Sequence, residues 1–161
     1  MRKILQSLLV TIVLLTVPAV GQAATKTSHR AVGEQEVLVL LNQIRAQHGL
    51  SSFSASIPLR NAARAHSADM LANDYFDHDS PTEAWDVRIY RFVKSPLIGE
   101  NIAWGTGSYG TPEGIVSQWL HSPTHRHIIL TAGLHKVGLA LTTGTFEGSA
   151  GAVMATADFS A

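Results

Sequence analysis

The 161-residue chain contains no cysteine. That absence excludes disulfide cross-links, thiolate nucleophiles and any cysteine zinc cage, so stability must come from a hydrophobic core. It also removes the residue that a bacterial lipid anchor requires. An excess of positive charge is missing as well. Once Arg2 and Lys3 are set aside with the leader described below, ten basic residues face twelve acidic ones, a charge of −2. Such a balance argues against nucleic acid or an anionic membrane as an electrostatic partner. No internal repeat and no low-complexity block occurs. The H-E-x-x-H pattern of zinc-dependent hydrolases is absent, and no serine stands in a context that marks a nucleophile.

The chain opens with Arg2-Lys3, an apolar run from Ile4 to Val20, and then Gly21-Gln22-Ala23-Ala24. A basic start, an apolar middle and small residues at the end describe a secretory signal peptide over residues 1–23. The alternative is an uncleaved anchor, since this run of seventeen residues could nearly span a bilayer. Gly21 and Ala23 place small side chains where a signal peptidase reads them, which favours cleavage and a secreted or periplasmic product with no stable membrane anchor. About 138 residues then remain, the size of one domain. Residues 24–33 read as a flexible lead-in and 34–161 as the domain.

Within that domain, Val37, Leu40, Leu41 and Ile44 recur at helical spacing from Glu34 to His48, and Gly49 supplies a stop. Asn42 and Arg45 lie beside this apolar stripe and read as satisfied or solvated polar groups. A loop over 51–57 leads to a second helix opened by Pro58, with Leu59, Ala62, Ala63, His66 and Met70 on one face. His66 therefore points inward, as a hydrogen-bonded core residue rather than a ligand. Residues 82–97 predict a short helix followed by a loop. Thr111-Pro112 caps a further helix with Ile115, Val116, Trp119 and Leu120 inside. Glu113 there complements the helix dipole. Ser122-Pro123 ends that helix and caps the next, putting His125 at its third position, while His121 and His127 read as surface residues. Two strands follow, Lys136 to Thr142 and Ala152 to Phe159, joined by a glycine-rich turn.

Three places carry chemistry. Glu100 stands in the extended run Ile98 to Trp104, where a carboxylate must be paired or neutralised. His78 occupies the turn Asp77-His78-Asp79-Ser80-Pro81. His125 starts a helix, where the dipole favours the neutral imidazole. These segments are expected to meet in one polar cleft. A fourth place imitates chemistry: Gly105-Thr106-Gly107-Ser108-Tyr109-Gly110 satisfies G-x-G-x-x-G. The acid that should bind a ribose about twenty residues later is missing, because that region reads Ile129-Leu130-Thr131. The glycines read instead as a flexible connector.

Taken in order, Leu41-Asn42-Gln43-Ile44-Arg45, Leu59 to Met70, Phe76 to Pro81, Gly99-Glu100-Asn101-Ile102-Ala103, Trp119 to Arg126 and Val137-Gly138-Leu139 resemble the bacterial branch of the CAP superfamily (cysteine-rich secretory proteins, antigen 5 and pathogenesis-related 1), also called the SCP domain. The resemblance covers residues 35–160. It implies an α+β fold, a three-layer α-β-α sandwich around a small, mainly antiparallel sheet, with a cleft of two histidines and acidic residues. By position, the binding residues are His78, Glu100 and His125. Some relatives hold a divalent metal at the paired histidines, so His78 and His125 become candidate ligands for Zn²⁺ or another divalent ion. In animal and plant relatives a second acid stands three residues after the helix tryptophan. Here that place is Ser122, which weakens any mechanism needing two carboxylates.

Two neutral imidazoles and a carboxylate can bind zinc with a position left open. Glu100 would serve as a third ligand, as an orienter, or as a base acting through water. The reading is therefore an exported binding module for a divalent metal, a lipid-like or cell-envelope molecule or a partner protein, with no residue assigned to catalysis. The alternative is a metal-dependent hydrolase of peptide or cell-wall material using the same cleft.

Overall fold

The computed structural model describes residues 21–161, with side chains described from Gly33 onward. The apolar run of the expected signal peptide lies outside the described residues. Among those described, no helix is long and apolar enough to cross a membrane.

Among the described residues, five α-helices and four strands follow in the order α1 (Gly21–Gln47), β1 (Ser54–Ala55), α2 (Ile57–Asn73), α3 (Trp85–Tyr90), β2 (Ile98–Gly105), α4 (Pro112–His121), α5 (Pro123–Ile129), β3 (Lys136–Phe146) and β4 (Ser149–Ser160). The sheet order is β1-β3-β4-β2, antiparallel except for the parallel β1–β3 pair. Helices α1, α4 and α5 cover one face and α2 with α3 the other. This is the expected α-β-α sandwich.

Local chemistry accounts for the helix starts. The Ser56 hydroxyl accepts from the Leu59 amide at α2, Thr111 from Gly114 at α4, and Ser122 from His125 at α5, each followed by proline in the first turn. Helix α1 begins ahead of Glu34, and the stretch 24–33 expected as a lead-in falls in its N-terminal part. Strand β1 lies inside the expected loop. The β3–β4 hairpin closes tightly at Glu147-Gly148, both with positive φ (46° and 74°), the geometry of a type I′ turn. The expected flexible connector is instead a packed 3-10 turn, Gly107–Gly110. A Cβ on Gly105 would lie 2.6 Å from the Tyr109 Cβ, so Gly105 permits close approach, while Gly107 supplies the positive φ of 54° that the turn needs.

The two faces of the sheet differ. On one, Val37, Leu41, Ile115, Trp119, Leu139, Ala157 and Phe159 form the larger apolar core. On the other, Ile102, Met70, Phe146 and Met154 form a smaller one. Alternation along the strands puts Glu100 on the same side as Ile102 and Asp158 on the same side as Met154. Thr156, between them on β4, bonds the Ser67 hydroxyl of α2 at 2.8 Å, which confirms that this side faces α2. The smaller core thus passes into a buried polar layer toward one end of the sheet.

Arg45 and Asn42 are fully occupied, as expected. Arg45 donates to the carbonyls of Ser51, Ile129, Thr131 and Leu134 at 2.6–3.1 Å and lies over the Phe53 ring. Asn42 makes a two-way bond with the Phe53 backbone. These contacts tie α1 to the segment that follows α5.

Candidate functional site

The polar layer centres on Glu100, which is 3% exposed. Its Oε1 accepts from His78 Nδ1 at 2.8 Å, and its Oε2 is bonded to Arg88 Nη2. His66 Nε2 lies 4.0 Å from the same Oε2. Arg88, from α3, also donates through Nη1 to the His78 carbonyl at 3.1 Å, so one guanidinium fixes both the acid and the backbone of the histidine turn. That turn is held further by Asp79, whose Oδ1 accepts from the Trp85 amide at the start of α3.

Directly across the strand pair from Glu100 stands Asp158, fully buried. Its nearest cation is again Arg88 Nη2, at 4.0 Å, and neither of its oxygens has a hydrogen-bond partner among the described residues. Burial, and then the charge of Glu100, push its carboxyl well above the usual range. A single guanidinium facing two opposed carboxyl groups compensates one negative charge, which favours the neutral form of Asp158.

His66 is buried on the inner stripe of α2 and donates through Nε2 to the Asp77 carbonyl at 3.0 Å. It is the satisfied core histidine expected. Burial lowers its pKa from 6.5, against the opposing pull of Glu100. Beside it, Tyr75 donates to Asp69 Oδ2 at 2.6 Å, and burial with that bond raises the phenol's pKa.

His78 and His125 meet as expected, although they come from opposite layers. β2 is the terminal strand of the sheet; α5 contacts it on one face, and the 77–79 turn reaches its Glu100 from the other. The ring centroids are 6.1 Å apart, with the rings edge to face. Asn101 fixes the start of α5 by donating from Nδ2 to the His125 carbonyl at 3.1 Å. The His78 side chain is 42% exposed, and its bond to Glu100 raises its pKa from 6.5. His125 is shifted down, first by burial and then by His78. The sequence suggested the helix dipole as a reason; burial and His78 act in the same direction.

Glu100, His78 and His125 are therefore brought to one place. The arrangement is not a ring of three ligands, since Glu100 faces Arg88 and the imidazole Nδ1. Among the described residues, no group of three or more His, Asp or Glu side chains is placed to hold a metal ion. The donor set fits a narrower site. With Nδ1–H committed to a carboxylate, Nε2 is the His78 ring nitrogen left with a free lone pair, and the His125 ring has no hydrogen-bond partner among the described residues. Bonds of about 2.0–2.1 Å to a tetrahedral ion would bring two imidazole centroids closer than the 6.1 Å seen here, so the rings would have to move together to share one. Of the remaining histidines, His121 and His127 are exposed, as expected.

Two members of the cluster escaped the sequence. Arg88 carries no local signal, because it sits among other arginines in a short amphipathic helix. Asp158 did carry one: a lone acid in an apolar strand, the same signal that singled out Glu100.

Comparison with known proteins gives a consistent picture. The family model described as "Cysteine-rich secretory protein family" (CAP) matches residues 38–159. The YkwD protein of Bacillus subtilis is 36% identical over 108 residues, covering 66% of this chain and 41% of that protein. The membrane protein YlbC of Bacillus subtilis is 31% identical over 121 residues, covering 70% of this chain and 32% of that protein. This chain thus spans less than half the length of either relative. Among solved structures, an extracellular protein containing an SCP domain from Bacillus anthracis superposes with a TM-score of 0.72 at 27% identity, over 89% of this chain and 44% of that one. An outer surface protein from Borrelia burgdorferi superposes at 0.65 with 18% identity, over 78% of this chain and 92% of that one, a likeness of fold alone.

Proposed function

Because the chain belongs to the bacterial branch of the CAP family, we propose that it is an exported binding module whose cleft takes a divalent metal ion on His78 and His125. The observation that carries this reading is the bond from His78 Nδ1 to the buried Glu100. It fixes the tautomer and leaves Nε2 with the free lone pair, the way a carboxylate orients a metal-binding histidine. His125 contributes a neutral imidazole, kept so by burial. Two protein nitrogens leave coordination positions for water or for an oxygen-bearing group of a cell-envelope molecule, a lipid-like ligand or a partner protein, and a bound divalent ion would polarise such a group. Export is supported by the basic and apolar start of the chain and by the extracellular SCP-domain protein it resembles.

The hydrolase alternative draws less from this geometry. A general base must reach a water, and Glu100 is buried with both oxygens engaged. Calorimetric titration of zinc into the protein tests the reading. One site is expected, lost in the His78→Ala, His125→Ala double variant, with no turnover of peptide or cell-wall substrates with or without chelator. Hydrolysis abolished by chelator would replace it with the alternative.

A further inference from the structure

From residue 33 onward the chain carries eight lysines and arginines against twelve acidic residues. Four of the eight are committed. Arg64, Arg88 and Arg91 bind Glu34, Glu100 and Glu83, and Arg45 is held by four carbonyls. The other four, Arg60, Lys94, Arg126 and Lys136, have no side-chain carboxylate partner among the described residues. Residues 1–32 contain no Asp or Glu, so that part of the chain supplies none either.

Three of these four cations gather at the start of α2. Two cavities adjoin there, of about 230 and 550 Å³, with Ala55, Ser56 and Ile57 as their common wall. Arg60 lines the smaller, and Lys94 with Lys136 the larger. All three reach solvent: both lysines are exposed and Arg60 is half-buried. The larger cavity has no Asp or Glu on its lining, and the smaller has only Glu34, which Arg64 neutralises at 2.8 Å. Even with a main-chain carboxylate counted at Ala161, two positive charges stay uncompensated. In a domain whose acids outnumber its bases, this is a local field of the opposite sign, and it attracts anions.

The arrangement also selects among anions. Ser54, Ser56, Ser95 and Ser160 on the lining are each already hydrogen-bonded within the protein. What remains to a ligand is charge, not a hydrogen-bonding code for one side chain. Ile57, 64% exposed, crowns the wall between Arg60 and the two lysines. A single small anion therefore reaches only part of the positive charge, whereas an extended one with several charged groups reaches all of it. Guanidinium and ammonium groups are good partners for phosphate oxygens, and a phosphate repeat carries charge at closer spacing than an acidic peptide.

We propose that this double recess binds an extended, phosphate-bearing polyanion, laid across Ile57 from Arg60 to Lys94 and Lys136. None of its lining residues belongs to the Glu100 cluster, and no metal at His78 and His125 is required.

The test is ¹H–¹⁵N NMR titration of the protein at low salt with linear polyphosphate, orthophosphate and a polyglutamate peptide. Saturable shifts are expected with polyphosphate, concentrated in residues 54–60, 93–95 and 136, and weakening as salt is added. Orthophosphate and polyglutamate should each bind about tenfold more weakly or less. The triple variant Arg60→Gln, Lys94→Gln, Lys136→Gln keeps the side-chain stems and should lose about tenfold or more in affinity. Its melting point and dispersed spectrum verify that it folds. Arg126→Gln removes the remaining unpaired cation, on α5, and should bind as wild type. Absence of saturable binding to polyphosphate overturns the proposal, as does a triple variant that binds no more weakly than Arg126→Gln. Shifts that centre on residues 121–128 overturn it too, and polyglutamate binding as tightly as polyphosphate would replace it with an acidic peptide.

Discussion

Glu100 and Asp158 oppose each other on neighbouring strands, and Arg88 is the guanidinium that faces both. Like charges directly opposite in a sheet repel, which favours protonation of the fully buried Asp158. Replacement of Asp158 by asparagine, an isostere of the neutral acid, is therefore expected to leave the protein at least as stable near pH 7. The sign follows from linkage. A carboxyl raised in the folded state from 3.8 makes the native form bind more protons than the unfolded chain. Its contribution is complete below that value and is lost as pH rises through the folded pKa. Urea unfolding between pH 4 and pH 8 should show this loss in the wild type and a smaller one in Asp158→Asn; equal slopes would count against a neutral Asp158. Glu100→Gln has the opposite character, since it leaves Arg88 buried without its counter-charge. A loss of about 3–5 kcal/mol is expected from urea unfolding, and a melting point equal to wild type would contradict the arrangement. Histidine NMR titration provides a third test. His78 should titrate above 6.5, with His66 and His125 below it.

At the scale of elements, α2 approaches the sheet so closely that only glycine fits beneath it. A Cβ on Gly138 of β3 would come within 2.0 Å of the backbone of Leu59 and Arg60. Because the obstacle is backbone rather than a flexible side chain, Gly138→Ala should cost more than the roughly 1–3 kcal/mol usual for overpacking. A thermal melt within a degree or two of wild type would show that α2 sits farther away. Closeness of α2 is also what brings His66 to within 4.0 Å of Glu100. The starts of α2, α4 and α5 were legible in the sequence because a serine or threonine cap with a following proline is local chemistry. Strand β1 was not: its two residues owe their conformation to pairing with Lys136 and Val137, more than eighty positions away. The glycine cluster at 105–110 was misread for a related reason. Gly105 and Gly110 serve close packing against Tyr109 and the β4 side chain Val153, and spacing alone does not separate that need from flexibility.

For the whole molecule, the sandwich and the meeting of His78, Glu100 and His125 followed from an ordered set of motifs. Arg88 did not, because its role exists only once α3, the histidine turn and β2 are folded together. The consequence is that Glu100 works as an organiser, joining the turn to the sheet through Arg88 and leaving the two imidazoles as the exposed chemistry. Metal affinity should accordingly depend on pH through His78, which must lose its proton to bind. Zinc binding is expected to weaken as pH falls through that raised pKa, beginning above 6.5.

The most direct measurement is a crystal structure of the protein grown with zinc, with the ion placed by anomalous scattering at its absorption edge. The account predicts one ion bonded to His78 Nε2 and a ring nitrogen of His125, with Glu100 still bonded to His78 Nδ1 and Arg88 and not to the metal. An ion bound directly by Glu100, or the two imidazoles turned apart with no ion between them, would contradict it.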